Sequence, residues 1–493
     1  MRPFFFALAV LMAAPTTVSS AAAVAASSSI PAPMGPVPAA VPAAPSAATP
    51  AASDDWVDRT LARLSLRDKV AQMVMPWLPG GSPRPGSAEW RRAHRLVAEL
   101  GVGGVIVGRG DAIETAAWLN ELQRAAEVPL LVSADLEWGA GTRLEGATVL
   151  PVNMAIAATG DAGYAFEAGR LTASEARAAG IHMAFAPVAD VNVNPANPVI
   201  NTRSYGADPV SVARYVGEFV RGARTGGMLT AVKHFPGHGD TELDSHLTLP
   251  VLAVSPTRLQ QVELVPFRAA IEMGADAVMT AHLSVPSLEP RRRRGLPATL
   301  SPSIVSELLR DELGFDGLVV TDALTMDGVR RGRRAAQIVV GAVRAGADIL
   351  LMPSDAEDAI DAVLAAVRRG ILSESRIDES VRRVLRAKAR AGLDRGDATV
   401  DIWNLLSVLD DADARAFAQE LTERSLTLVG GGGSGSLPVT LHRGPVLRVL
   451  SIAYADSRRA EINEAFDREL ERVGGFVRAI RLWERSDDDD LER

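Results

Sequence analysis

The chain contains no cysteine. That excludes a disulfide framework, a thiolate metal site, a cysteine nucleophile and a lipidated N-terminal cysteine. A basic stripe with interleaved aromatics is also missing. The net charge of −8 is spread along 493 residues, which argues against nucleic acid as a partner. The densest basic run, Arg291–Arg294, lies between Pro290 and Gly295 and reads as a solvated loop. The apolar run Phe4–Ala14 is too short to span a bilayer comfortably, so no stable membrane span is expected in the mature chain. With Met1-Arg2 before it and small residues through Ala26 after it, residues 1–26 read as a secretory signal, with an uncleaved anchor as the alternative. From Pro31 to Ser53, 16 of 23 residues are Pro or Ala, so residues 27–53 form an extended tether that cannot build a core. An exported protein, periplasmic or extracellular, is expected.

What remains is long enough for a barrel of roughly 250–350 residues plus a smaller partner. Hydrophobic content of 47% suits a large core. Short apolar runs recur at Met73–Leu78, Val102–Val107, Leu130–Ala134, Met183–Val188, Met228–Val232, Ala277–Thr280, Leu318–Thr321 and Ile349–Met352. Between them lie stretches such as Asp161–Ala179, Pro209–Thr225 and Ser301–Leu313, whose apolar residues recur at helical spacing. Near-continuous apolar strands alternating with helices indicate a parallel sheet covered on both faces. Eight such units predict an α/β fold, a (β/α)8 TIM-type barrel over residues 54–395, with a doubly wound open sheet as the alternative.

Ionisable residues stand at the ends of five runs: Asp135, Asp190, Lys233-His234, His282 and Asp322. In a barrel these ends converge on the C-terminal rim, where chemistry is located in this fold. The richest stretch is Lys233–His246, which holds three of the seven histidines and is broken by Pro236, Gly237 and Gly239 into a shaped loop. Zinc binding is one reading of it, although the helical His-Glu-x-x-His arrangement is absent; a purely structural loop is another. An acid/base reading explains more. Asp244 precedes His246 by two positions, a spacing that lets the carboxylate fix one ring nitrogen and raise the basicity of the other. Such a histidine can protonate a departing sugar oxygen. Asp322, ending an apolar strand with small Ala323 after it, is placed to attack an anomeric carbon.

Lys233–His246, with Leu249-Pro250 following, resembles the signature of family 3 glycoside hydrolases, in particular their β-N-acetylglucosaminidase (β-N-acetylhexosaminidase) branch. The resemblance runs from about Trp56 to Gly392. It implies exo-acting, retaining removal of terminal β-N-acetylhexosamine, with Asp322 as nucleophile and an Asp244–His246 acid/base dyad. It further implies that Asp135, Arg143, Arg203, Lys233 and His234 bind the sugar, each charged hydrogen bond contributing about 1.5–3 kcal/mol. One departure stands out. The family commonly shows Glu-Gly-Gly-Arg after the strand-three aspartate, whereas this chain reads Leu136-Glu137-Trp138-Gly139-Ala140-Gly141-Thr142-Arg143. Trp138 is then either a stacking platform for a second sugar or a packing residue.

No metal or cofactor is called for. The expected partner is an N-acetylhexosamine-containing oligosaccharide or a cell-wall fragment, consistent with peptidoglycan turnover. On the same fold the alternatives are a β-N-acetylglucosaminide phosphorylase and a β-glucosidase; a non-catalytic sugar-binding protein is the rival from another class. Residues 396–493 read as a linker and a partial α/β domain, with strand–helix–strand over Val446–Ile452, Arg458–Val473 and Phe476–Leu482.

Overall fold

The computed structural model describes residues 9–11, 54–409, 411–427, 447–455, 464–472 and 475–483. They fall into two compact units. The first, through Thr427, carries eight parallel strands. Strand β1 comes in two pieces, Val74–Met75 and Trp77–Leu78, split by Pro76, which has no N–H to donate. The others are β2 (Gly104–Val107), β3 (Leu131–Ala134), β4 (Met183–Ala184), β5 (Leu229–Phe235), β6 (Ala277–Thr280), β7 (Leu318–Thr321) and β8 (Leu350–Leu351). Each strand from β1 to β7 pairs in parallel with the next. A bridge between Val320 and Ile349 joins β7 to β8, and Leu350–Leu351 pairs with Val74–Met75 of β1. The sheet closes on itself, the barrel that the alternating runs predict.

Two cores follow from the period of two along each strand. On β7, Leu318 and Val320 point into the barrel while Val319 joins the core beneath the helices; Met279 and Val278 divide in the same way on β6. Both faces are therefore apolar, which is why the strands read as unbroken hydrophobic runs. Helix Glu374–Arg390 closes the N-terminal end, adding Val384 and Ala387 to the interior cluster. The same alternation carries Asp322, two residues beyond Val320, to the inside of the opposite end. Asp135 and Glu137 follow Leu131 and Ser133 in the same phase.

Strand β5 departs from that phase. Ala231 and Val232 pair with Ala277 and Val278, but Phe235 pairs with Thr280, so β5 carries one residue more than β6 across this interval. A bulge of this kind re-aims side chains at a barrel rim. Here it turns consecutive residues, Lys233 and His234, toward the same cavity.

Helices Ile402–Leu409 and Ala412–Ser425 belong to the first unit. In the second, strands Leu447–Ala455 and Gly475–Trp483 pair in parallel around helix Glu464–Arg472, and Ala9–Leu11 runs antiparallel to Leu450–Ile452. Apart from Ala9–Leu11, the expected signal and tether (residues 1–53) lie outside the described residues. Among the described residues no helix is long and apolar enough to cross a membrane.

Candidate active site

The C-terminal mouth of the barrel holds a cavity of about 470 Å³. Asp135, Arg143, Arg203, Lys233, His234, His246 and Asp322 all line it. They come from β3, the segments after β3 and β4, β5, the loop after β5, and β7.

One wall is a charge cluster centred on the buried Lys233 and Glu137. Lys233 Nζ donates to Asp135 Oδ1 at 2.9 Å and reaches Glu137 Oε1 at 2.7 Å. Arg203 grips Glu137 with two bonds, Nε to Oε2 at 2.9 Å and Nη2 to Oε1 at 2.7 Å. Arg143 completes the set through Asp135 Oδ2 at 3.3 Å. Burial pushes the Lys233 ammonium toward losing its proton, but the carboxylates of Asp135 and Glu137 outweigh it and raise the pKa. Arg203 is raised in the same way, with Glu137 overcoming its burial. Lys233 thus stays an ammonium and serves as a hydrogen-bond donor. Glu137 shows the mirror effect: burial pushes its carboxyl up, while Arg203 and Lys233 hold it far below the ordinary range. The cluster is a rigid array of charged donors and acceptors with capacity left for hydroxyl groups.

Behind it stands Asp190, fully buried. Its carboxylate binds His234 Nδ1 at 2.7 Å and accepts from the backbone N–H of His238 at 2.6 Å. His234 therefore presents Nε2 to the cavity side, 3.4 Å from Arg203 Nη2. Asp190 orients other groups and does not line the cavity. His282 behaves alike: its Nε2 lies 3.0 Å from the carbonyl of Ala323 and braces the peptide after Asp322.

The long loop is pinned by His238, whose Nδ1 lies 2.7 Å from Thr241 Oγ1 and whose Nε2 lies 3.0 Å from Ser245 Oγ. Burial lowers its pKa to about 4, so it is neutral and acts as a strut. The far end of the loop docks on the short helix after β7, where the N–H of Asp327 donates to the carbonyl of His246 at 3.3 Å and that of Gly328 to Ser245 at 3.1 Å. A Cβ at Gly328 would sit 2.6 Å from the Ser245 carbonyl oxygen, so only glycine permits this approach. The loop leaving β5 is in this way fastened to the unit that carries Asp322.

At its tip, Asp244 Oδ1 accepts from the His246 backbone N–H at 2.8 Å and lies 2.7 Å from its Nδ1. The Asp244 side chain is 10% exposed and that of His246 60%, so the carboxylate is sheltered, and among the described residues Nε2 has no hydrogen-bond partner. Burial would raise the Asp244 pKa, but the His246 bonds lower it and keep it ionised. Asp322 is ionised too: burial pushes it up, and His282, His234, the Ala323 N–H and the Lys233 charge together bring it below the ordinary value. Its carboxylate accepts from the Ala323 N–H at 2.7 Å. The three histidines of the loop thus face different partners, and among the described residues no three His, Asp or Glu groups gather as metal ligands.

The family profile described as glycosyl hydrolase family 3 N-terminal domain matches residues 65–387. The chain belongs to glycoside hydrolase family 3. It is 36% identical over 415 residues to a β-N-acetylglucosaminidase/β-glucosidase of Cellulomonas fimi, covering 82% of this chain and 72% of that relative. Among solved structures, a family 3 β-N-acetylglucosaminidase from Paenibacillus sp. str. FPU-7 superposes with a TM-score of 0.76 at 39% identity, over 87% of this chain and 82% of that one. The β-glucoside phosphorylase BglX gives a TM-score of 0.80 at 28% identity, over 89% of this chain and 80% of its own.

For a family 3 member, the sequence missed two residues that matter here. In the sequence Glu137 stands only as part of a departing loop, yet it is the hub of the charge cluster; its phase, two residues beyond Asp135, is the signal that points to it. His238 lies in the same loop and also lines the cavity, but its ring is buried and bonded to Thr241 and Ser245. Trp138 is half-buried; it lines the cavity and also packs on the helix-side core.

Proposed function

We propose that this protein is an exo-acting β-N-acetylhexosaminidase that retains the configuration of the released sugar. Asp322 attacks the anomeric carbon. His246 donates its Nε2 proton to the departing oxygen, while Nδ1–H stays bonded to Asp244, and the neutral imidazole then deprotonates the incoming water. Asp135, Arg143, Arg203, Lys233 and His234 hold the hydroxyls of the terminal sugar. The observation that carries this reading is the pairing, on one cavity, of an ionised Asp322, which forms no ion pair among the described residues, with a histidine whose outer nitrogen has no partner among them and whose inner nitrogen is backed by a carboxylate. The names of the relatives point to the same class of substrate. Export from the cytoplasm is part of the proposal, with cell-wall or chitin-type fragments as the natural source.

The test is a series of aryl β-N-acetylglucosaminides of graded leaving-group pKa, assayed with His246→Ala beside the unmodified enzyme. Loss of the proton donor should cost roughly 10²–10⁴-fold where the leaving group is poor and far less where it is nitrophenolate. An unchanged slope would remove His246 from the role. Running the same assay with and without phosphate separates water from phosphate as the acceptor, since a histidine acid/base carries no negative charge to repel phosphate.

A further inference from the structure

The end of the barrel opposite the catalytic mouth carries a cavity of about 640 Å³. Its lining comes from the segments that enter β6 and β7, from the end of helix Pro209–Thr225 and from one face of helix Glu374–Arg390. The charged residues in that lining are Arg224, Arg383, Arg386, Arg390, Asp54 and Asp316. None of them belongs to the catalytic cavity. Arg383, Arg386 and Arg390 are spaced three and four apart, so the helix sets all three on one face. Like charges so placed repel one another.

The carboxylates within reach do not use these groups up. Arg383 Nη1 stands 3.4 Å from Asp348 Oδ1, but that acid already takes Arg310 at 2.6 Å, the Ser380 hydroxyl at 2.7 Å and the Val319 N–H at 3.0 Å. Arg390 Nη1 lies 3.3 Å from Asp276, and Arg386 Nε lies 3.4 Å from Asp54. Arg224 gives Nη1 to the Gly274 carbonyl. A guanidinium carries five N–H donors in a planar fork, and each of these four makes a single contact among the described residues. The backbone N–H groups of Asp316 and Gly317, in the same wall, have no hydrogen-bond partner among the described residues. Arg376 also bonds Asp348, at 3.5 Å. Taking the charged groups of the lining together with those paired to them, six guanidinium groups meet the four carboxylates of Asp54, Asp276, Asp316 and Asp348, and two positive charges are left over.

We propose that this cavity is a second ligand site, and that it takes a phosphoryl dianion, free or as a monoester, between Arg383, Arg386 and Arg390. Planar guanidinium forks match the oxygens of phosphate, and charge-assisted bonds to it are stronger than neutral ones. A phosphoryl group carries about two negative charges at neutral pH and so cancels the surplus; a carboxylate or a phosphodiester brings one. The cavity is larger than one phosphate, which leaves room for the rest of an ester beside Ile271 and Ala275. The site is independent of the glycoside that the catalytic cavity cleaves.

The test is isothermal titration calorimetry of the full chain at low ionic strength with inorganic phosphate, glycerol 3-phosphate and a glycerol phosphodiester. Tighter binding of glycerol 3-phosphate than of inorganic phosphate marks the ester as the ligand; the reverse marks free phosphate. The better dianion should bind at least ~10-fold more tightly than the phosphodiester, the value of one charged contact. Arg386 is half-exposed and pairs with no buried carboxylate, so Arg386→Gln should fold and should weaken the dianion about 10-fold. Asp54→Asn removes the competing carboxylate and should strengthen it. Neither variant should change kcat/KM toward aryl β-N-acetylglucosaminides. Dianions bound no better than the phosphodiester, or Arg386→Gln binding as tightly as the unmodified protein, overturn the site. Should Arg386→Gln fail to fold, Asp54→Asn decides by itself, since an affinity no higher than that of the unmodified protein refutes the proposal.

Discussion

Replacing Glu137 by Gln keeps the outline of the side chain and removes one charge from the buried cluster. In the native protein Glu137 is bonded twice to Arg203, at 2.9 and 2.7 Å, and once to Lys233, at 2.7 Å. In the variant Lys233 retains Asp135, but Arg203, whose side chain is only 22% exposed, loses its carboxylate. Removing one partner of a buried ion pair costs about 3–5 kcal/mol. An amide oxygen still accepts a bond, so the lower end, about 3 kcal/mol, is expected for unfolding at pH 7. Acid should change the difference in a defined direction. The Glu137 carboxyl is held far below its unfolded value because Arg203 and Lys233 together overcome burial. Its contribution is therefore complete above the unfolded pKa, about 4.3, and is lost as pH falls toward the folded one. Glu137→Gln should then lie below the native protein by a constant amount between about pH 5 and 8, and the gap should narrow below about pH 4. Urea titrations followed by tryptophan fluorescence at pH 7, 5 and 3.5 give these values. Because Lys233 and Arg203 line the cavity proposed to hold the sugar, kcat/KM should also drop, by roughly 10–100-fold for one charged hydrogen bond misplaced. Equal unfolding free energies at pH 7 with unaltered kcat/KM would refute the hub role.

Gly328→Ala should favour its own helix yet push the Ser245 and Thr248 carbonyls away, since the new Cβ would lie 2.6 and 2.9 Å from them. Turnover of oligosaccharides should fall at least ~10-fold with displacement of His246, and native turnover would show that the loop does not depend on this contact. Lys388 is fully buried and bonds Gln72 Oε1 at 2.5 Å, and burial lowers its pKa to about 7. A folded pKa below the unfolded one, about 10.4, means that stability rises with pH between these values and that the cost is full below pH 7. Lys388→Met should therefore be more stable at pH 6, by about 2 kcal/mol once the lost Gln72 bond is counted, with the advantage gone near pH 10; a difference independent of pH would contradict this. Export predicts a mature chain that begins between Ala21 and Pro31, as read by mass spectrometry of protein from the native host; an intact Met1 on cytoplasmic protein would reverse that proposal.

The barrel was determined by the sequence by itself, because burial on both faces of a parallel strand demands local runs such as Leu318–Val320 and Val105–Val107, and a run is visible without knowing its neighbours. The groups proposed to react are legible for a related reason: Asp244 and His246 sit two residues apart, and Asp322 follows the last residue of its strand. Glu137 was not legible as a hub. Its partners Arg203 and Lys233 lie 66 and 96 positions away, brought to it by closure of the sheet and by the one-residue bulge in β5. Nor does any local pattern tell His238, a neutral buried strut, from His246, the exposed residue proposed as donor, since both follow glycine-rich or polar loop sequence. Distance, burial and proton affinity are properties of the closed barrel, where charges far apart along the chain share one low-dielectric mouth, and only the tertiary structure could decide which of them would meet.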